Sequence, residues 1–165
     1  MILKSITIYT DGSCHTQLKI GAWAAVILVD DTKKILTGTV TNTTHQIMEL
    51  MAAINALENV QEAYPSANQI EIISDSQYVV DLPARLEKLS AANYQSKQSK
   101  QSKQSKPIQN AALVQMFHQL IKDKPITFTK VKAHLKKTGS NDYNIEVDKL
   151  CRKLVRERVN GIIAS

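Results

Sequence analysis

The sequence predicts an α/β fold in which helices flank a five-stranded mixed sheet, with three antiparallel strands first and parallel strands after them. Three strand-like stretches come first and are joined by short polar links, which favours an antiparallel meander. Helix-like and strand-like stretches then alternate, which places a crossover helix between parallel strands. The predicted order is β-β-β-α-β-α-α-β-α, and 165 residues with 43% hydrophobic composition suffice for a single domain over residues 1–165.

The first three strands are predicted from runs of β-branched and aromatic residues. Residues 6–12 alternate between apolar and polar side chains and end in a turn at Gly12. Residues 21–29 and 34–41 predict two further strands. The turn-like residues 30–32 join them, so these two strands form a hairpin.

A helix and a fourth strand are predicted next. The helix has its N-cap at Thr43 or Thr44 and ends before Pro65. Its apolar residues recur at helical spacing: Ile47, Leu50, Met51, Ile54 and Leu57. An Ile-rich strand over residues 69–74 then leads directly to Asp75.

Two helices are predicted after the fourth strand. The first extends from residue 76 to about residue 92 and is interrupted or restarted near Pro83. The second covers residues 108–122, with Pro107 at or before its first turn.

The C-terminal part is predicted to contain one strand and one helix. Residues 126–132 predict the fifth strand. The last helix is expected to have Asn144 as its N-cap and to end before Gly161.

The positive charge of the chain is concentrated in one tract of low complexity. The net charge is +6, and the QSK repeat at residues 95–106 supplies four lysines, so the rest of the chain carries +2. A polar tract of this kind has too little apolar surface to fold alone. It is either a solvated linker between two helices or a grip for a polyanion.

Four acidic residues occupy positions where an apolar side chain or the inner end of a strand is expected: Asp11, Glu49, Asp75 and Asp148. A buried carboxylate costs free energy unless it is paired or binds a cation. Asp11 and Asp75 end the first and fourth strands, and the crossover helix allows those strands to be parallel neighbours. Their carboxylates are therefore expected to converge.

Glu49 and Asp148 are predicted to reach the same place from two helices. The alanines three, four and seven residues after Glu49 share its face and allow close packing on the sheet. Asp148 shares a face with Ile145, Cys151 and Val155 near the positive end of its helix. Taken singly, each acid is explained as a cap, a turn residue or a solvated charge; together they favour a shared divalent metal site.

Five short motifs follow one another along nearly the whole chain. They are T-D-G-S-C at residues 10–14, T-T and M-E-L-M-A-A at 43–44 and 48–53, S-D-S-Q-Y-V at 74–79, V-K-A-H at 131–134, and N with V-D-K-L at 144 and 147–150. One such motif would be weak, but five in order on suitable elements are specific. In these motifs the chain resembles type 1 ribonuclease H, which implies a ribonuclease H-like fold.

The resemblance implies an endonuclease that hydrolyses the RNA strand of an RNA/DNA hybrid and leaves 3′-hydroxyl and 5′-phosphate ends. It implies two magnesium ions, with manganese as a substitute, held by the four acids. His134 matches a histidine that helps to move a proton or to release product, and its ordinary pKa suits transfer near neutral pH. A hydrogen-bonded loop histidine is the alternative.

The resemblance also implies a set of substrate contacts. Thr44 matches a residue that holds a DNA phosphate, and the expected contacts together are Gly12, Thr44, His45, Gln46, Gln77, Asn144, Lys97, Lys100, Lys103 and Lys106. The chain departs from the common bacterial pattern, which has asparagines where His45, Gln46 and Gln17 stand. It also lacks the tryptophans usual around a lysine-rich protrusion, because its one tryptophan, Trp23, is predicted to lie in the core.

Other classes stay open at this point. A hybrid-binding module without activity, or a resolvase-like or integrase-like nuclease on a similar sheet, uses some of the same features. Cys14 and Cys151 lack a metal-binding spacing, His15 and His118 are assigned to surface or helix positions, and no membrane span is predicted. We expect a cytoplasmic monomer.

Overall fold

The computed structural model of the chain describes residues 4–97, 104–132 and 142–164. Within these ranges the order of elements is the predicted one, β-β-β-α-β-α-α-β-α. The elements are β1 (Ser5–His15), β2 (Ile20–Val29), β3 (Thr32–Thr41), α1 (His45–Ala63), β4 (Gln69–Ser74), α2 (Gln77–Ala91), α3 (Ala111–Ile121), β5 (Ile126–Lys130) and α4 (Asp142–Ile163).

The five strands form one mixed sheet in the order β3-β2-β1-β4-β5. β1 pairs with β2 in antiparallel fashion, as β2 does with β3, and the pairs β1–β4 and β4–β5 are parallel. The last parallel pair of β1 and β4 joins Thr10 to Ser74. Asp11 and Asp75 each come one residue later, so the two acids lie side by side as predicted. The predicted end of β1 at Gly12 is wrong, because the strand stays paired with β2 as far as His15.

Helices cover both faces of the sheet, because alternate residues of its central strands are apolar on each side. On one face, Ile6 and Ile8 of β1 pack in a cluster with Leu50 of α1 and Phe117 of α3. On the other face, Val26 of β2 packs with residues of α4, namely Val147 and Cys151. Among the described residues, no helix is both long enough and apolar enough to cross a membrane.

Two predicted details of α2 and α3 differ from the structure. α2 continues through Pro83 without a break, although proline offers no N–H to the carbonyl of Val79. α3 begins at Ala111 and not at residue 108, because Asn110 has a left-handed backbone with φ of 61°. Ile108, two residues before Asn110, instead donates its backbone N–H to the carbonyl of Tyr94.

The C-terminal elements also have different ends from those predicted. β5 ends at Lys130, two residues earlier than expected. α4 starts at Asp142, so Asn144 lies inside the helix and the prediction that it is the N-cap is wrong. The helix also passes through Gly161, whose missing side chain costs only about 1 kcal/mol in a helix.

Candidate active site

A cleft of about 430 Å³ opens at the carboxyl ends of β1 and β4. It receives side chains from β1, from the start of α1, from the β4–α2 junction and from α4. Its lining residues are Asp11, Gly12, Ser13, Cys14, His45, Glu49, Asp75, Asp148 and Arg152. All four acids predicted from the sequence therefore line one cleft.

Three of these acids form a compact cluster. Carboxylate oxygens of Asp11, Glu49 and Asp75 all lie within 4.8 Å of one another. Asp11 is 6% exposed and Glu49 is 8% exposed, so two of the three carboxylates are largely removed from water. Three hard oxygen donors at this separation fit a divalent cation such as Mg²⁺.

Gly12 allows α1 to approach β1 closely enough to bring Glu49 into the cluster. A Cβ atom on Gly12 would collide with the backbone of Met48 and Glu49 in α1. The absence of a side chain at residue 12 therefore has a packing reason that does not depend on any ligand. The resemblance had assigned Gly12 to substrate contact alone.

Both oxygens of the Glu49 carboxylate accept hydrogen bonds. The hydroxyl of Ser76 donates to Oε2 over 2.5 Å, and Nε2 of His45 lies 2.9 Å from Oε1. Ser76 is also the N-cap of α2, where its hydroxyl oxygen accepts from the backbone N–H of Val79. The hydrogen bond with Glu49 raises the pKa of His45, against the opposing effect of partial burial. These two contacts orient Glu49 within the cleft.

The cluster is electrostatically unfavourable without a cation. Burial, together with the charges of Asp75, Asp148 and Glu49, raises the pKa of Asp11 to about 8, against a lowering hydrogen bond from the backbone N–H of Gly12. A cation among these carboxylates would favour the ionised form of Asp11 and relieve the mutual repulsion. The donor set and its charge thus fit a divalent metal.

Asp148 lines the same cleft from α4 but is not one of the three clustered acids. Arg152, one helical turn later, places Nη2 3.5 Å from Oδ2 of Asp148. Beneath them, the buried thiol of Cys151 donates to the backbone carbonyl of Asp11 over 3.3 Å. Burial raises the pKa of this thiol, so Cys151 fastens α4 to β1 and is no nucleophile.

Of the predicted substrate-contact residues in and next to α1 and α2, only His45 belongs to the lining of the cleft. Thr44 is the N-cap of α1, and its exposed hydroxyl accepts from the backbone N–H of Ile47 over 3.3 Å. Gln46 lines a neighbouring groove of about 240 Å³. Gln77 is exposed and donates its side-chain amide to Asp81 over 2.7 Å. The exposed residue Gln17 lies in the β1–β2 link, outside the set that lines the cleft.

The remaining predicted residues lie at the edges of the described chain or outside it. Asn144 is 4% exposed, and its side-chain amide donates to the carbonyl of Lys132 over 3.5 Å. Lys97 and Lys106 are exposed at the two ends of the basic tract. His134, Lys100 and Lys103 lie outside the described residues.

Two polar side chains that contact the acids of the cleft have no role predicted from the sequence. Ser76 enters the sequence prediction only as part of a motif, although a serine just before a helical stretch is an N-cap signal. Arg152 stands four residues after Asp148, and that spacing places the two side chains side by side on a helix. The contact between Ser76 and Glu49 joins residues 27 positions apart, and no local pattern predicts it.

Comparisons with known proteins agree with one another. The family described as RNase H matches residues 3–156 of the chain. Proteins named Ribonuclease H are similar throughout: that of Prosthecochloris aestuarii is 35% identical over 153 residues, and that of Chlorobium phaeobacteroides (strain BS1) is 33% identical over 155 residues. Each alignment covers 93% of this chain and 97% of the relative.

A solved structure shares the fold. It is described as LC9-RNase H1, a type 1 RNase H with the type 2 active-site motif, and it superposes with a TM-score of 0.74 at 16% identity. The superposition covers 95% of this chain and 74% of that one. At this identity the likeness bears on the fold, which agrees with the mixed sheet and flanking helices predicted from the sequence.

Proposed function

This chain belongs to the ribonuclease H family, and from that premise we infer how it acts as an endoribonuclease on RNA/DNA hybrids. We propose that the catalytic centre is the cleft at the ends of β1 and β4. The observation that carries this proposal is the cluster of Asp11, Glu49 and Asp75 carboxylates within 4.8 Å. Asp148 completes the proposed set from the same cleft.

The four acids are proposed to hold two Mg²⁺ ions, with Mn²⁺ as a substitute. When bound, such ions lower the pKa of an attacking water and stabilise the leaving 3′-oxygen of the RNA strand. The protein contributes the placement of the ligands. Ser76 and His45 fix the two oxygens of Glu49, and the backbone N–H of Gly12 donates to Oδ1 of Asp11 over 2.9 Å.

We propose that His134 transfers a proton during turnover or product release. Support comes from its place in the V-K-A-H motif and from the imidazole side chain, which in histidines generally can exchange a proton near neutral pH. Asn144 binds the carbonyl of Lys132, two residues before this histidine. We expect His134→Ala to slow turnover strongly without abolishing it, whereas Asp11→Asn leaves almost none. Single-turnover rates measure both, and equal losses would contradict this division of roles.

Recognition of the hybrid is proposed to use the rim of the cleft. Thr44 lies at the N-terminus of α1, where a helix attracts anions, and its hydroxyl proton is available to a DNA phosphate. Gln77 and Gln46 offer donors and acceptors for the 2′-hydroxyl and base edges that distinguish RNA from DNA. His45 is 58% exposed at its side chain, so it faces both Glu49 and the open cleft.

The basic tract is proposed to hold the DNA strand of the hybrid. Lys97 and Lys106 are exposed at its ends, and the four lysines carry most of the excess positive charge of the chain. Neutralising phosphates releases counterions, which gives affinity without sequence preference. We further propose that the protein acts as a monomer in the cytoplasm. The free thiols of Cys14 and Cys151 support the proposed compartment, because cysteines stay reduced there.

One cleavage assay tests the proposed function. Labelled RNA/DNA, DNA/DNA and RNA/RNA duplexes of one sequence are incubated with and without Mg²⁺. We expect cleavage only of the hybrid, only in its RNA strand and only with metal, giving 3′-hydroxyl and 5′-phosphate ends. Binding of the hybrid without cleavage would indicate a binding module, and cleavage of duplex DNA would indicate a resolvase-like nuclease.

A further inference from the structure

His118 is a buried polar residue of α3 that lies apart from the acidic cleft. Its side chain is 9% exposed, and both ring nitrogens face polar partners. Nδ1 lies 2.7 Å from the hydroxyl of Tyr94, and Nε2 lies 3.6 Å from the carboxylate of Glu87. A neutral ring with its proton on Nε2 satisfies both contacts, since Tyr94 then donates to Nδ1 and the N–H faces Glu87.

Tyr94 begins a closed neck at the base of the basic tract, formed by residues 94–96 and 106–108. Ile108 donates its backbone N–H to the carbonyl of Tyr94 over 2.9 Å. Ser96 donates its backbone N–H to the carbonyl of Lys106 over 2.6 Å, and its hydroxyl accepts from the N–H of Lys106. Gln95 and Pro107 form a β-bridge between these contacts. The two ends of the tract are therefore held side by side.

Contacts with two helices hold the backbone of Tyr94 in an uncommon conformation at the start of the neck. Tyr94 and Asn93 both have left-handed backbones, with φ of 53° and 52°. Non-glycine residues rarely adopt this conformation unless surrounding contacts hold them there. The N–H of Tyr94 binds the carbonyl of Leu89 over 2.8 Å, and its hydroxyl binds His118. The tyrosine is thus tied to α2 by its backbone and to α3 by its side chain.

The far side of the neck leads back towards the proposed substrate contacts. Ile108 and Gln109 line the groove of about 240 Å³ that also contains Gln46 and Tyr78. Tyr78 follows Gln77, and Arg85 adds a positive charge to the same groove. The neck therefore shares a groove with Gln46, one of the proposed substrate contacts.

We propose that Tyr94 and His118 are positioning residues for the hybrid, because their hydrogen bond fixes the neck and with it the place from which the basic tract reaches the DNA strand. This proposal rests on the proposed role of the tract as a grip. A tract with a fixed base loses less conformational freedom on binding than one with a free base. The contact therefore contributes to affinity and leaves the acidic cleft unchanged.

The test compares variants that remove or keep this one hydrogen bond. Tyr94→Phe removes only the hydroxyl, and His118→Leu removes the acceptor. His118→Asn keeps an acceptor near the position of Nδ1 and serves as the conservative control. We expect Tyr94→Phe and His118→Leu to raise KM for a hybrid roughly three- to fivefold, with kcat almost unchanged. His118→Asn should retain a KM closer to that of the unchanged protein.

A second background separates positioning from general loss of stability. In the tract-neutral variant, Lys97, Lys100, Lys103 and Lys106 are all replaced by glutamine. We expect Tyr94→Phe to add no further rise in KM there, because a neutral tract has no charge to position. An equal rise in both backgrounds would overturn the proposal, as would an unchanged KM in Tyr94→Phe itself.

The same measurements distinguish failure of the proposed positioning role of Tyr94 and His118 from failure of the proposed DNA-binding role of the basic tract. If the tract-neutral variant has a raised KM but Tyr94→Phe does not, the result supports DNA binding by the tract and contradicts its positioning by Tyr94 and His118. If the tract-neutral variant keeps the original KM, both are wrong, although hybrid cleavage by the unchanged protein still establishes the activity. Thermal melts of each variant ensure that KM is measured on folded protein.

Discussion

Asp11 shows how a single residue links the stability of the protein to pH. Burial, followed by the nearby acids, raises its pKa to about 8 from an ordinary value of 3.8. Between these values the unfolded chain is ionised at Asp11 while the folded protein resists ionisation. Protonation of Asp11 therefore contributes its full share to the free energy of unfolding of the metal-free protein below about pH 4. This contribution is lost as pH rises to about 8.

Replacing Asp11 by asparagine should therefore stabilise the metal-free protein, and more so at higher pH. We expect Asp11→Asn to raise the melting temperature by about 5 °C at pH 8, which corresponds to about 2 kcal/mol at this length, and by less at pH 5. Scanning calorimetry in a chelating buffer measures the effect. Millimolar Mg²⁺ should reduce the difference in melting temperature between Asp11→Asn and the unchanged protein, because it stabilises only the unchanged protein. A gain that is equal at both pH values would contradict the raised pKa.

Ser76 carries two roles that substitution can separate. Its hydroxyl donates to Glu49 and also caps α2. Ser76→Ala removes both contacts and should cost about 1 kcal/mol of stability through the lost cap, whereas Ser76→Gly costs only a few tenths. We expect both variants to lower kcat roughly tenfold, because each removes the hydrogen bond to Oε2 of Glu49 and leaves only the contact of His45 with Oε1.

Urea unfolding and turnover at several Mg²⁺ concentrations measure these two effects side by side. If kcat falls only in Ser76→Ala, the loss of kcat arises from the lower stability of α2, and the contact with Glu49 does not contribute to catalysis. Equal losses in the two variants, at unequal stabilities, would support the orientation of Glu49 by Ser76.

At the scale of elements, the approach of α1 to β1 depends on Gly12. Ala at this position would push its Cβ against the backbone of Met48 and Glu49, which cannot rotate away. We expect Gly12→Ala to destabilise the protein by about 2 to 3 kcal/mol and to displace Glu49 from the cluster. Urea denaturation midpoints, with turnover on a hybrid, measure both consequences.

Gly161 provides a matched control within the same chain. It lies inside α4 and would place its Cβ with no atom within 4 Å. Gly161→Ala should therefore stabilise the helix by up to about 1 kcal/mol, because alanine loses less backbone entropy than glycine. A similar destabilisation by both substitutions would mean that the effect of Gly12→Ala does not arise from contact with α1.

The elements could be predicted from the sequence wherever their pattern is local. β4 has the predicted bounds because an isoleucine-rich run leads directly to Asp75, and Thr44 is the N-cap of α1 as one of the two expected threonines. The predicted start of α3 is wrong, because the left-handed backbone of Asn110 and the hydrogen bond from Ile108 to Tyr94 depend on packing between helices. Such tertiary contacts leave no periodic signal in the sequence.

The same distinction applies to the site. Strand ends and helical faces predicted that four acids would face one cleft. The hydrogen bond between Ser76 and Glu49 and the burial of His118 against Tyr94 could not be predicted, because each depends on contact between separate elements. The contact between His45 and Glu49 lies within α1, where a spacing of four residues places the two side chains next to each other. The sequence predicts a surface or helical position for His118, and the structure shows a helical residue that is buried against Tyr94.

At the scale of the whole molecule, the uneven charge distribution governs how the hybrid is held. The four tract lysines account for four of the six excess positive charges. If they contact DNA phosphates, the tract-neutral variant should bind less tightly and depend less on salt. We expect its KM to rise and the slope of log KM against log salt to fall by roughly 0.9 for each lysine that contacts a phosphate.

A variant of equal charge distinguishes the tract from the general field of the protein. Replacing four exposed lysines elsewhere by glutamine also lowers the net charge to +2. Suitable positions are Lys34, Lys122, Lys124 and Lys153. Long-range attraction alone would give both variants the same rise in KM and the same slope. Direct contact predicts a smaller slope only in the tract-neutral variant, because counterions are released where phosphates are neutralised. Steady-state cleavage between 50 and 200 mM salt, about the range over which such contacts weaken, measures the two slopes.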